Sequence, residues 1–360
     1  MGQRYVTGVL LLGGTGAVGR GCFDVLTRLR GMSVVLAGRD EARLREVAPG
    51  ADVARIDITD AAAVTAVATQ CDVVVNCAGP STTFSAQVAE AAVAAGVPYV
   101  DPGGDQALMD RLTATGAGVP VVLQAGVQPG LSGLLLRLLA LRATGAIEDV
   151  TAWCGGLQEL TPASVLEYLA SLHDTQSHPG AVLRDGVIRR ATPDECEPAP
   201  ASCFPDSVTA RPHLDAETVA VAAHLGIGNV CWMNVFDGAH STRAMQRMAI
   251  DDERSPDLEA VRSAAKLDLF GRQPYFAIVA RAHDGVGSTT AAFSCPDSYR
   301  VTGAVAAFAA TRAADLPAEV HPFWSIDEPP RALEFVTEAI PQATLSCCRD
   351  SALPIEEGAL

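Results

Sequence analysis

Lysine is almost missing from this sequence of 360 residues, because Lys266 is the only one and arginine supplies nearly all of the positive charge. Any mechanism that needs a lysine therefore has a single candidate. Positive charge is scarce altogether: 26 lysine and arginine residues are outnumbered by 42 aspartate and glutamate residues, which gives a net charge of −16. Such a chain repels a phosphate backbone and an anionic membrane surface, so we expect neither nucleic acid nor a membrane as its partner.

Two sequence patterns that mark metal and membrane proteins are also missing. The ten cysteines include no C-x-x-C pair, so we expect reduced thiols and no bound metal. No apolar run approaches the ~18 residues of a membrane span, and the run near the start is too short and too interrupted by glycine for a secretion signal. We therefore expect a cytoplasmic protein.

What the sequence does contain is a regular alternation over its first 130 residues. Short β-branched runs alternate with alanine-rich stretches whose apolar residues lie three and four positions apart, as in amphipathic helices. Continuous apolar strands joined by helices predict a parallel sheet covered on both faces, the doubly wound Rossmann arrangement. The six predicted strands span 6–12, 32–38, 51–57, 71–79, 97–101 and 119–126.

The pattern changes after GVQPG at 126–130. A long apolar helix follows, then mixed helices, a polar proline-rich segment at 194–212, and further alternating runs typical of a mixed or antiparallel sheet. The fold class predicted is α/β, with an N-terminal Rossmann domain and an α+β substrate domain with a mixed sheet. The expected boundaries are 1–130 for the first domain, 131–298 for the second, 299–337 for a helical return onto the first, and 338–360 for a C-terminal tail.

The stretch LLLGGTGAVGR carries the strongest functional pattern. Its glycines fit G-x-G-x-x-G, follow a predicted strand and open a predicted helix, which is the context of a dinucleotide-binding loop. Glycines let the backbone approach a pyrophosphate, and the helix N-terminus offers free N–H groups and a partial positive charge. The predicted cofactor contacts in this loop are Gly14, Thr15, Gly16, Ala17, Val18 and Gly19.

The end of the next strand, LAGRD, indicates which dinucleotide binds. An NAD-selecting protein carries an acidic residue about 20 positions after the loop, and this chain has Arg39 there. A guanidinium suits a 2′-phosphate, so we expect NADPH as cofactor, with Asp40 as the N-cap of the following helix. Asp57 is predicted either to contact the adenine side of the cofactor or to cap a turn at the strand end.

Short-chain dehydrogenases share such a loop, but their chemistry needs a tyrosine with a lysine four residues later. Four residues before the only lysine, Lys266, stands Arg262. The sequence therefore disfavours carbonyl reduction by that mechanism.

Three segments resemble the saccharopine dehydrogenase-like family: GGTGAVGR with LAGRD, DVVVNCAGPS, and AAGVPYVDPGGD followed by VVLQAGVQPGLSG. The resemblance covers residues 6 to 135. It implies that the turn after the fourth strand lies under the nicotinamide-ribose half of the cofactor and that the loop after the sixth strand lines the nicotinamide edge. The implied contacts are Asn76, Ala78, Gly79 and Pro80 in the first loop and Gly126, Pro129 and Gly130 in the second.

The family works on carbon–nitrogen bonds, and the later segments resemble short bacterial members that include thiazolinyl imine reductases of siderophore pathways. The resemblance implies an NADPH-dependent reductase of a cyclic imine, free or bound to a carrier protein or nonribosomal peptide synthetase, and we expect a homodimer. The alternatives are a trans-acting enoyl reductase, a saccharopine or amino-acid dehydrogenase, and a non-catalytic NADPH sensor.

Imine reduction needs a proton donor for the nitrogen. Tyr168 and His173, near the end of one predicted helix, are the leading pair, with a core tyrosine and a solvated histidine as the alternative readings. Asp101, at the end of the fifth strand, is predicted to relay a proton or orient substrate, or else to cap a turn. Tyr99, on the same strand, is also expected near the reactive end of the cofactor. His224, His240 and Asp237 are further candidates without positional support.

Overall fold

The computed structural model describes residues 7–172, 174–250 and 257–351. Its N-terminal part alternates strands with helices along the chain. The elements are β1 (Thr7–Leu12), α1 (Ala17–Leu26), β2 (Met32–Gly38), α2 (Glu41–Val47), β3 (Asp52–Arg55), α3 (Ala61–Ala68), β4 (Val73–Asn76), α4 (Ser81–Ala95), β5 (Tyr99–Val100), α5 (Gln106–Thr115) and β6 (Val121–Leu123).

The middle of the chain forms a second group of elements. They are α6 (Leu131–Arg142), β7 (Asp149–Leu157), α7 (Pro162–Ser171), β8 (His178–Pro179), β9 (Ala181–Arg184), β10 (Val187–Arg190), β11 (Thr209–Leu214), α8 (Ala216–Leu225), β12 (Val230–Phe236), α9 (Ala239–Ile250), α10 (Leu258–Leu269), β13 (Tyr275–His283) and β14 (Gly287–Cys295). The last elements are α11 (Ser298–Ala313), β15 (Val320–Pro322), α12 (Pro329–Ala339) and β16 (Thr344–Ser351).

The first sheet is parallel throughout and has the order β15-β6-β5-β4-β1-β2-β3. Apart from β15, this is the Rossmann order that the sequence predicts. Strands β1 and β4 read as unbroken apolar runs because helices cover both faces, and Val9 to Leu12 are fully buried. Aspartates begin three of the crossover helices: the carboxylates of Asp40, Asp60 and Asp105 accept backbone N–H bonds at the first turns of α2, α3 and α5.

The second sheet is mixed, as expected, with the order β10-β9-β12-β7-β13-β14-β16 and with β11 paired to the far half of β12. Only β12 and β7 run parallel among the strands described in this sheet. One face packs on α6, α8 and the Rossmann domain within a continuous core. The other face is covered by the segment around Phe204.

Helix α11 returns the chain to the first domain and crosses α1 at very short range. A Cβ on Gly303 would lie 2.3 Å from Cys22 N, and a Cβ on Gly21 would lie 2.8 Å from Arg300 Cα. Side chains at these positions would force the helices apart, so the two glycines set the distance at which α11 packs. The C-terminal segment thereby contributes to the cofactor domain.

The final 60 residues hold two strands that the sequence did not predict. Strand β15 extends the Rossmann sheet beside β6, and β16 pairs with β14 over residues 344–351. The expected tail from residue 338 onward is therefore wrong for the last part of α12 and for β16. Both strands are short or partly polar, and their pairing partners lie far away in sequence, so local periodicity does not reveal them. No helix in the described ranges is long and apolar enough to cross a membrane.

Glu217 joins α8 to the start of α6. Its side chain is 3% exposed, and its carboxylate accepts hydrogen bonds from Gly130 N (2.6 Å) and from Ser132 Oγ. Burial, reinforced by the nearby Asp215, raises the pKa of Glu217 to about 8, and the hydrogen bonds oppose this rise. The folded state therefore holds this proton more tightly than the unfolded chain.

We predict that this carboxyl makes the protein less stable as pH rises. Because its pKa is higher in the folded state than the unfolded value of 4.5, stability falls between about pH 4.5 and pH 8, by up to about 1.4 kcal/mol per pH unit. The Glu217→Gln variant cannot ionise at this position and should lose this pH dependence. Its stability relative to the wild type should therefore increase from pH 5 to pH 8. Urea unfolding at pH 5, 6.5 and 8 measures the difference, and a constant difference would contradict the argument.

Candidate functional site

The glycine loop after β1 is packed so tightly that side chains do not fit. Gly13 has a φ of +74°, and a Cβ there would lie 2.5 Å from Ala78 N in the loop after β4. A Cβ on Gly19 would lie 2.3 Å from Gly13 O. Glycine therefore holds the loop against both its neighbouring loop and its own helix.

Helix α1 has Gly16 as its N-cap residue and therefore begins without a side-chain cap. Gly16 and Ala17 are exposed, and Thr15 and Val18 are partly exposed, so the first turn of the helix is accessible. Uncapped backbone N–H groups at a helix start suit the pyrophosphate of a dinucleotide. The predicted loop residues thus form a cradle that fits this group.

Arg39 follows β2 at the same edge of the sheet and is exposed. Within the described ranges it forms no ion pair. Asp40 does cap α2, as predicted, by accepting a bond from Arg43 N (3.1 Å). A groove of about 770 Å³ opens beside it between α1 and α2, and Arg20 and Arg43 line it together with Asp40. Arg39 is therefore an exposed arginine without an ion pair in the described residues, at the strand end where a 2′-phosphate is expected.

Asp57 forms a turn after β3. It accepts bonds from Thr59 N (3.0 Å) and Thr59 Oγ1 (2.8 Å), which lower its pKa, and the charge of Arg39 lowers it further. The turn-capping alternative describes these hydrogen bonds. Asp57 nevertheless lies close enough to Arg39 to share the adenine end of the cleft.

The side chain of Asn76, at the end of β4, points into the core. Its amide donates to Asp101 Oδ2 (2.9 Å) and to Tyr99 Oη (3.1 Å), and its Oδ1 accepts from Ala78 N (3.2 Å). Asn76 therefore shapes the loop that carries Ala78, Gly79 and Pro80, and its amide does not face the cleft.

Asp101 is 2% exposed and already satisfied by the protein. It accepts hydrogen bonds from Tyr99 Oη, from Asn76 and from Gly103 N (2.8 Å). Burial raises its pKa, and these bonds limit the rise. The arrangement matches the turn-capping alternative, so we give Asp101 no part in proton transfer.

The loop after β6 closes on itself and is covered by the second domain. Gly126 N donates to Pro129 O (3.1 Å), and a Cβ on Gly130 would lie 2.4 Å from Gly126 O. Gly126 and Gly130 are buried, with Glu217 bonded to Gly130, while Pro129 is partly exposed. Pro129 is therefore the member of this predicted set with surface to offer a cofactor.

Helix α7 of the second domain packs on the loop after β4. Ser81 N and Ser81 Oγ, at the start of α4, both donate to the Glu167 carboxylate, the second at 2.9 Å. Ala163 Cβ lies 3.2 Å from the position of a Cβ on Gly79. Burial raises the pKa of Glu167. Sequence reasoning missed this residue, because its partner lies 86 positions away and no local pattern marks it.

Tyr168, the next residue on α7, is partly buried on another side of the helix. Its ring meets Phe236 edge to face, with ring centroids 5.8 Å apart. Burial raises the pKa of its hydroxyl, and the charge of Arg211 opposes the rise. His173, the predicted second donor, lies outside the described residues.

The remaining candidates are held in structural contacts. Tyr99 is in the Rossmann core, His224 packs on Trp324, the backbone N–H of His240 donates to Asp268, and Asp237 forms a bidentate ion pair with Arg272. The described residues contain no group of histidine, cysteine, aspartate or glutamate side chains that would hold a metal ion.

Comparison with known proteins identifies the cofactor domain. Residues 9–119 match the family model of the saccharopine dehydrogenase NADP binding domain. This segment is therefore an NADP-binding domain similar to that of saccharopine dehydrogenases, and NADPH is the cofactor. The search of curated proteins found no match.

A solved structure shows that the whole fold of this chain has a precedent. Saccharopine dehydrogenase (L-Glu forming) from Saccharomyces cerevisiae, in its apo form, is 17% identical with a TM-score of 0.68 over 96% of this chain and 100% of its own. A short-chain dehydrogenase/reductase from Veillonella parvula is 18% identical with a TM-score of 0.25, covering 27% of this chain and 46% of its own. The first match extends the likeness in fold to the second domain.

We predict that Arg39→Ala selectively weakens NADPH binding. Loss of charge-assisted bonds to the 2′-phosphate should cost about 1.5–3 kcal/mol for NADPH and little for NADH, which lacks this phosphate. Fluorescence titration with both nucleotides measures the two affinities. Arg45→Ala removes the same charge from α2, where Arg45 is paired with Glu41, and serves as the control. Equal losses for both nucleotides would show that Arg39 does not read the phosphate.

Proposed function

We propose that the protein is an NADPH-dependent reductase that transfers hydride to the carbon of a C=N bond in a cyclic imine, such as thiazoline to thiazolidine in siderophore or nonribosomal peptide biosynthesis. The observation that carries the proposal is the packing of α7 on the loop after β4. Ala163 and Glu167 of α7 contact Gly79 and Ser81 in this packing, and the same helix carries Tyr168, which supports a role for this tyrosine near the half of the cleft where the nicotinamide is expected.

The absence of a short-chain catalytic pair supports the same reaction. Lys266 is exposed on α10 in the second domain, and Arg262 pairs with Glu259 on the same helix. Neither residue belongs to the cleft beside β4, so the tyrosine–lysine mechanism has no counterpart at this position. Reduction of a C=N bond needs less from the protein: a bound cofactor, a held substrate and one proton donor.

Tyr168 is the donor we assign. NADPH, when bound, supplies the hydride to the imine carbon. The electron pair of the C=N bond then resides on nitrogen, which takes the proton of Tyr168 Oη, and solvent returns a proton to the tyrosinate. Burial raises the pKa of Tyr168, so its hydroxyl is protonated at neutral pH, while the charge of Arg211 stabilises the tyrosinate that forms.

Glu167 acts as a positioning residue in this proposal. By accepting two bonds from Ser81 it fixes α7 on the start of α4, and the adjacent Tyr168 is thereby held relative to Gly79 and Pro80. We further propose that the substrate is a small molecule or is bound to a carrier protein, and that the protein acts as a homodimer.

We predict that Tyr168→Phe lowers kcat for an imine about 100-fold while leaving the Kd of NADPH unchanged. Loss of a positioned general acid typically costs this much, and phenylalanine retains the edge-to-face contact with Phe236. Steady-state kinetics between pH 6 and 10 measures the effect, with a thermal melt to verify folding. An unchanged kcat would assign the proton transfer to another group.

The reaction class itself is tested by following NADPH oxidation with cyclic imines that include thiazolines, with enoyl thioesters and with the substrates of saccharopine formation. We expect turnover of thiazolines. Turnover of enoyl thioesters alone would identify a C=C reductase, and turnover of the amino-acid substrates alone a dehydrogenase of the saccharopine type. Tight NADPH binding without any turnover would favour a sensor.

A further inference from the structure

A polar wall lies opposite α7 on the second sheet. Arg211 and Asn234 are direct partners on the antiparallel strands β11 and β12, so their side chains lie on the same face. Phe236, two residues after Asn234, shares that face and contacts Tyr168. The wall formed by Arg211, Asn234 and Phe236 therefore faces the assigned proton donor.

The opposite face of the same strands is fully used by the core. Ala210, Met233 and Val235 alternate with the wall residues and pack with Phe204 and Trp153. Fold stability thus accounts for the apolar residues of β11 and β12. It does not account for an arginine and an asparagine between them on the face toward α7.

Among the residues that the structure describes, neither polar side chain of the wall has a partner for its functional group. Asn234 Oδ1 is buried without a hydrogen bond. Arg211 is exposed and makes no ion pair or hydrogen bond within the described parts of the chain. Arg184 and Arg189, in the neighbouring hairpin, both pair with Glu195. A buried acceptor without a donor is costly, so a wall of this kind is complete only when a ligand lies against it.

The charge of the whole protein makes Arg211 more significant. With a net charge of −16, the surface repels anionic small molecules, and an anion that must enter the cleft needs a local cation. A guanidinium binds a carboxylate through two parallel N–H bonds and also fixes its orientation.

We infer that this wall holds the end of the substrate remote from the hydride and that the substrate is an anionic imine, whose carboxylate pairs with Arg211 and whose N–H or O–H donor bonds Asn234 Oδ1. This inference rests on the proposed imine reduction. It narrows the substrate class to cyclic imino acids and excludes neutral imines as good substrates.

The test compares a phenyl-substituted thiazoline carboxylate with the matched carboxamide, in the wild type and in Arg211→Gln. The wild type should prefer the carboxylate by about 10- to 150-fold in kcat/KM, the range expected for a charge-assisted pair. Arg211→Gln should remove most of this preference by slowing the carboxylate alone. Arg331→Gln, an exposed arginine on α12, is the control with the same charge change.

Binding supplies a readout that does not depend on turnover. Calorimetry with NADP⁺-saturated protein and the thiazolidine carboxylate should show a similar loss of affinity in Arg211→Gln, with the Kd of NADPH unchanged. Equal kcat/KM for acid and amide in the wild type, or the same acid preference in both proteins, would overturn the inference and leave imine reduction standing. Failure to reduce any imine would instead overturn the proposed function. The calorimetry would then test the anion site independently, and equal affinity for the acid and the amide would show that Arg211 does not bind a carboxylate.

Discussion

The contact between Glu167 and Ser81 is the interaction on which the candidate site depends. It joins the second domain to the first turn of α4, directly after the loop that is predicted to lie under the nicotinamide-ribose half of the cofactor. A carboxylate at a helix N-terminus is favoured by the free N–H groups and the helix dipole, and burial strengthens both effects. The burial that gives this contact its strength also raises the pKa of Glu167.

The same domain junction is supported from two other sides. Glu217 caps the start of α6 beside the loop after β6, and α11 crosses α1 at a distance that only Gly21 and Gly303 permit. These contacts join segments separated by 85 or more positions in the chain. The cleft is thus fixed by three long-range contacts around the carboxyl edge of one parallel sheet, which is where ligands bind in open α/β folds.

Local sequence was sufficient for what depends on local chemistry. The six strands of the first domain, the capping role of Asp40 and the glycine loop all follow from periodicity, capping residues and the absence of side chains at tight turns. Asp101 shows where local sequence no longer suffices. Its position at a strand end was clear, but the three hydrogen-bond donors that satisfy its carboxylate come from β4, β5 and the next turn. Glu167 and Arg211 were missed for a related reason, because their neighbours Ser81 and Asn234 come from distant parts of the sequence. Strand β16 was missed because its pairing with β14 is also non-local.

Two of the arginines without ion pairs in the described chain, Arg39 and Arg211, lie in different domains, and they contrast with arginines that buried aspartates engage. Arg272 and Arg349 are engaged by buried aspartates and serve the fold. Arg39, at the adenine end, and Arg211, across from Tyr168, have no such partner. The chain is rich in aspartate and glutamate, yet none of their described carboxylates pairs with either guanidinium. Two cationic positions therefore stay open to anions from outside the protein. Because one lies in each domain, the proposed sites for cofactor and substrate use separate charges. A substitution at one arginine can then change selectivity for the cofactor or for the substrate without affecting the other, provided that the contact between Glu167 and Ser81 remains intact.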